Sequence, residues 1–221
     1  MTTTAVRAPA GWLALLAGPV SFGIAGPALI LPRVAADLAV SVASATVIVV
    51  AFGWGAAVGT PLLAGLLGHQ GTRVALPFCG LLVAAGTLLV VTVPALPVLV
   101  VGSALQALGG AGLIVTAMHL AGSTAAMGLV TASLASVGAI APLTGSLVAD
   151  LLSWRLALAL PAVSLLAIPV IVRRALPEPP SGSRFDALGA ILLTSLVTAL
   201  TAIPHLPLAA AGASVGAAVL L

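Results

Sequence analysis

Few side chains here could carry covalent or acid–base chemistry: three histidines, one cysteine, four acids and seven arginines among 221 residues, with no lysine. Hydrolysis needs a nucleophile beside a base, or clustered metal ligands. His69, His119 and His205 fall on separate segments with no carboxylate nearby at helical spacing, so neither arrangement is offered. Cys79 stands alone in an apolar run, which excludes a disulfide framework and a cysteine metal cluster within the chain. A Schiff-base photoreceptor would need a lysine. The chain is thus expected not to be an enzyme and to need no cofactor or metal. What remains is polar chemistry inside apolar surroundings. Gln106 must find partners if it lies in hydrocarbon, facing either the bundle or a wet cavity, or closing an interhelical hydrogen bond worth about 1 kcal/mol. Trp54, Ser103 and Gln106 are the expected lining of a solute cavity, and His119 is the one ionisable side chain near the core of the first six spans.

The elements that position these residues follow from composition. Hydrophobic residues make up 62% of the chain and charged residues 5%, against roughly a quarter charged in a soluble domain. No water-facing surface can be built from this, whereas helices satisfy their backbone within lipid. A transmembrane barrel would alternate polar and apolar positions, and the run from Ala95 to Ala111 does not. The net charge of +3 comes from arginines scattered singly between apolar runs, which argues against a nucleic-acid partner. The expected fold class is all-α, a polytopic transmembrane helix bundle.

Charges are costly at the bilayer centre, so they mark where the chain leaves it. Charge-free stretches run over Ala8–Pro32, Leu38–Thr72, Val74–Ala149, Leu156–Val172 and Ala187–Leu221. A crossing takes about 20 residues, so the third stretch folds back at Pro94–Pro97 and at Ala121–Thr124. This predicts spans 1 to 6 at 11–31, 44–67, 74–93, 97–119, 126–149 and 156–172, span 7 at 187–203, and a partial span 8 at 208–221. The first apolar run is too long for a signal-peptide core and precedes many further spans, so it is kept as span 1. With the amino terminus in the cytoplasm, Arg7, Arg73, Arg173, Arg174 and Arg184 lie inside and Arg33 and Arg155 outside, as the positive-inside rule asks. Residues 173–186, with Pro177, Pro179 and Pro180 beside Ser181, read as a cytoplasmic linker.

Five stretches resemble the major facilitator superfamily. Pro61 to Arg73 resembles its G-x-L-A-D-R-x-G-R-R loop, with Leu66, Gly71 and Arg73 aligned, but Gly68 at the aspartate and His69 at the first arginine. Ser103 to Ala111 is similar to R-x-x-Q-G-x-G-A-A, with Gln106 matching and Ser103 in place of the arginine. Gly138, Pro142 and Gly145, followed by Ser153-Trp154-Arg155 and Pro161, resemble the span-5 motif of drug antiporters and the opening of their span 6. Arg184 to Thr194 is similar to the F-D-x-x-G start of span 7 in fourteen-helix drug:proton antiporters, and Leu31 to Leu38 to the end of their span 1. Gly23 departs from that subgroup, which often carries an aspartate there.

The resemblance implies a six-span amino-terminal transporter half over residues 1–172, the linker 173–186, and the start of a carboxy-terminal half over 187–221 whose remainder is absent. It implies efflux of drug-like or other small solutes by alternating access in the inner (plasma) membrane. The implied partners are the bilayer, a small-molecule solute, protons as a coupling ion, and the missing half or a second chain. Gly138, Pro142, Gly145, Trp154 and Arg155 would serve conformational change, with Pro142 bending its helix and the two glycines facing a neighbour; Gly71 and Arg73 would form the cytoplasmic loop. Gly23, Gly68 and Ser103 each replace a charged family residue, which leaves His119 as the candidate proton carrier. The alternative is an inactive or regulatory half-transporter fragment.

Overall fold

A computed structural model describes residues 9–174 and the isolated positions 189, 192, 194–196 and 198. The expected linker from residue 175 onward and spans 7 and 8 otherwise lie outside the described residues. Every regular element among the described residues is helical, and five are long and apolar enough to cross a membrane. Span 2 comprises α4 (Val42–Ala45) and α5 (Val47–Gln70); spans 3, 4 and 5 are α6 (Thr72–Thr92), α7 (Leu96–Leu120) and α8 (Thr124–Leu151). Each begins one or two residues before the start expected from sequence, and all but α6, which stops at Thr92, run past the expected end.

Spans 1 and 6 differ most from expectation. Span 1 is not one helix over 11–31: α1 (Ala10–Ala17), a 3-10 turn (Gly18–Ser21), α2 (Phe22–Ala25), a second 3-10 turn (Gly26–Leu29) and α3 (Leu31–Asp37) follow one another. Pro19 and Pro27 lack the N–H that the regular ladder needs, and the chain tightens at each. Because α3 runs on through Pro32, Arg33 and Asp37 sit on helix rather than in a loop. Span 6 is α9 (Trp154–Leu158), a 3-10 stretch (Leu160–Ala167) carrying Pro161, and α10 (Ile168–Arg174).

Turn chemistry separates the spans. Gly71 takes φ 75° between α5 and α6, a conformation open to glycine. Ser123 and Ser153 cap α8 and α9, their hydroxyl oxygens accepting from the N–H groups of Ala126 and Leu156.

α7 packs along both α5 and α6, while span 1 packs along α8 and against the 3-10 stretch of span 6. The two sets of three spans therefore share one pattern: the first member of each contacts the second and third members of the other. Small residues allow the approach. A Cβ on Gly55 or Gly59 would meet the backbone of Ala104 or Leu108, and one on Gly145 would lie 2.6 Å from the Gly26 carbonyl oxygen. Leu16, Leu76, Cys79, Leu113 and Ile171 fill the end of the bundle that carries Arg73; Val34, Ile48, Leu99, Trp154 and Leu158 fill the other. Ile140, Leu143, Leu147 and Leu151 leave an exposed apolar face on α8, suited to hydrocarbon.

Candidate functional site

Spans 1, 2, 4 and 5 border a partly open cavity of about 160 Å³, lined by Val20, Ser21, Phe52, Ala56, Ile114 and Leu134 among others. Helical spacing puts Phe52, Ala56 and Thr60 on one face of α5 and Ala111, Ile114 and Val115 on one face of α7. The hydroxyl of Ser21 donates to the Leu134 carbonyl at 3.0 Å, and that of Ser133 on α8 is shared between the Val130 carbonyl of its own helix at 2.7 Å and the Ala14 carbonyl at 3.1 Å. These reciprocal bonds hold span 1 against α8 across one wall of the cavity. Gly23 lies directly under the Phe52 ring, whose edge occupies the space a Cβ there would need.

A second space, about 500 Å³, lies along α5 and α7 and is lined by Val47, Trp54, Val101, Ala104, Leu105 and Thr198, with no residue of span 1 or α8. The Trp54 indole N–H donates to the Thr198 hydroxyl at 2.9 Å. Trp54 therefore lines a cavity, but not the one the four spans border. The larger volume carries less weight for function, because only the smaller one is bounded by all four spans.

Ser103 and Gln106 line neither cavity. Both are buried, and the Gln106 amide nitrogen donates to Thr87 Oγ1 at 2.8 Å and to the Leu158 carbonyl at 3.4 Å. The reason lies in span 6. Pro161 has no N–H, and that of Ala162 goes to Ala159, so the Leu158 carbonyl is left open for Gln106. Of the two roles open to this glutamine in the sequence, the interhelical bond is the one the geometry displays.

Gly138 and Gly145 face span 1: a Cβ at Gly138 would lie 3.7 Å from the Ser21 Cβ, and at Gly145 it would collide with Gly26. α8 continues through Pro142, which removes the donor that the Gly138 carbonyl would otherwise take. Trp154 is buried, its indole N–H donating to Asp37 Oδ2 at 2.9 Å, and the Arg155 guanidinium lies 5.2 Å from the centre of its ring. Beside them Arg33 pairs with Asp150 at 2.6 Å. Sequence reasoning placed Trp154 and Arg155 but missed Asp37 and Asp150 as their neighbours. The available signal was that all these residues bound the same ends of spans 1, 5 and 6.

At the opposite end Arg73 is exposed beside Gly71, and the buried Thr72 hydroxyl has no partner among the described residues. His119 is exposed in the last turn of α7, on the face turned away from the core that Ala117 and Ala121 join on either side of it. No group of three metal-ligating side chains occurs among the described residues.

Apolar helices long enough to cross a bilayer, paired through glycines around a partly open cavity, fit a polytopic membrane protein of the solute-transporter class. The family model of the Major Facilitator Superfamily matches residues 11–221, and the chain belongs to that superfamily of membrane transporters. No curated protein matches it.

Proposed function

We propose that this chain moves small amphipathic, drug-like solutes out of the cell by alternating access, with spans 1, 2, 4 and 5 forming one wall of the path. The observation that carries this reading is the cavity those four spans line. Alternating access rocks one six-span half against another around such a site, and the facing wall is supplied by a second half or a second copy of the chain. The close glycine contact between Gly145 and Gly26 fixes α8 to span 1, so that the wall moves as a body. The proposed setting is the plasma membrane with the Arg73 end cytoplasmic, which places five arginines inside and two outside.

The test is release of an amphipathic fluorescent dye from loaded vesicles that contain the protein. Release faster than from protein-free vesicles, and slowed by Ala56→Phe in the cavity wall, supports the reading. Equal rates in all three would overturn it.

A further inference from the structure

The four-span cavity is unusually plain in its chemistry, and that plainness identifies what it can hold. Val20, Ile24, Phe52, Ala56, Ile114 and Leu134 give it hydrocarbon walls. Its hydroxyls are engaged as donors: Ser21 donates to Leu134, and Thr60 to the Ala56 carbonyl at 2.8 Å. None of its lining side chains is ionisable. A cation entering it would lose its water and gain no carboxylate, and an anion would find no free donor, either of which is strongly unfavourable. Sites that hold charged solutes place at least one complementary group among apolar walls.

Size narrows the occupant further. A closed apolar cavity of about 150 Å³ walled by leucine, isoleucine and phenylalanine takes one benzene ring; this one is partly open and offers a similar volume, about 160 Å³. Among its lining residues is Phe52, a residue 2% exposed whose ring is seated over Gly23. Any side chain at position 23 would push that ring out of its seat. The small residue and the large one therefore act as a pair, with the glycine making room for the ring that lines the cavity.

We infer that this cavity is a subsite for an uncharged, single-ring apolar group, with Phe52, seated on Gly23, as the residue that sets its size. The inference rests on the proposal above that this face meets the solute. A larger amphipathic solute would leave its ring here and keep its polar end on the side of the facing wall.

The experiment is photolabelling of the full chain in lipid nanodiscs with neutral 3-phenyl-3-(trifluoromethyl)diazirine, with and without toluene as competitor, followed by peptide mass spectrometry. The para-trimethylammonium derivative serves as the charged control. Expected is label near Ala56 and Ile114 that toluene removes, that is lost in Ala56→Phe and in a second filling variant, Ile114→Phe, and that the cationic probe does not give. Phe52→Ala should additionally admit a naphthyl probe excluded from the wild type. Label that toluene leaves unchanged, spread as on the exposed Leu143 and Leu147 of α8, overturns the subsite, as does equal protected labelling by the cation. Protected labelling together with unchanged dye release in Ala56→Phe would retain the subsite and defeat the transport reading instead.

Discussion

The side-chain amide of Gln106 donates to the carbonyl of Leu158 across the contact between α7 and span 6, while its second bond, to Thr87, reaches α6. One glutamine thus ties three spans, at a carbonyl that Pro161 left without a backbone donor. Gln106→Leu keeps the volume and removes both bonds, so it should lower stability by about 1 kcal/mol and leave dye release close to wild type. Thermal unfolding in detergent reads the first quantity and vesicle release the second. Abolished release at unchanged stability would mean that the amide acts on the solute.

The two motif glycines of α8 should respond differently to the same substitution. A methyl at Gly145 meets the Gly26 carbonyl at 2.6 Å, where two backbones must separate to admit it, whereas at Gly138 it reaches ordinary contact with Ser21 at 3.7 Å. Gly145→Ala is therefore expected to be destabilising by about 1–3 kcal/mol and Gly145→Leu to prevent packing, with Gly138→Ala nearly neutral. Midpoints of thermal unfolding compared across the three variants check this. Equal effects at positions 138 and 145 would contradict the close approach.

The polar cluster at the Arg33 end contains bonds of unequal worth. Arg33 and Asp150 are roughly half exposed, 51% and 58%, so Asp150→Ala should cost less than about 1 kcal/mol and lose even that in high salt. Asp37→Ala leaves the indole N–H of a Trp154 that is 7% exposed without its acceptor, at a cost of about 1–3 kcal/mol that salt does not erase. Unfolding midpoints at low and high ionic strength separate the two cases.

Much of the fold was legible because bilayer physics acts on composition. The absence of charge over Val74–Ala149, together with Pro94, Pro97 and Gly122, was enough to locate three helices within a few residues of α6, α7 and α8. Span 1 was less legible: proline marks a weak point without saying whether the helix bends, tightens or ends, and here it tightens twice and then runs on past Arg33. The site was the hardest part to read. Ser103 and Gln106 were singled out as polar residues in an apolar run, but polarity does not say which face of the helix meets the cavity. That is decided by the neighbours, and α7 turns Gln106 toward α6 and span 6 while turning Ile114 toward the cavity. Phe52 gave no signal, since a phenylalanine in an apolar helix looks like core until its position over Gly23 is known.

Topology is open to direct measurement. In a Cys79→Ala background, single cysteines at Gln70 and Gly122 should be protected from an impermeant maleimide applied to intact cells. Cysteines at Ala95 and Ser153 should react, because those turns lie at the opposite end of the bundle from Arg73. A cysteine at Ser181 should share the protection of Gln70. Labelling of Ser181 and Gln70 from outside would invert the orientation and put five arginines on the wrong side.

Coupling to a proton gradient is the property the interior is least equipped to supply. A coupled proton must ride on a side chain that titrates and that alternates between the two faces of the membrane. The cavity has no such group among its lining residues. Position 23 of span 1 is a glycine, and the Phe52 ring fills the space that a side chain there would need. Asp37 and Asp150 lie at the ends of α3 and α8, held by Trp154 and Arg33, and His119 is exposed in the last turn of α7. Proteoliposomes containing only this chain should therefore show dye release that an imposed pH gradient does not accelerate, with His119→Ala indistinguishable from wild type. Gradient-driven efflux that survives His119→Ala would show that a proton finds a carrier outside these groups, and the argument from an uncharged interior would fall.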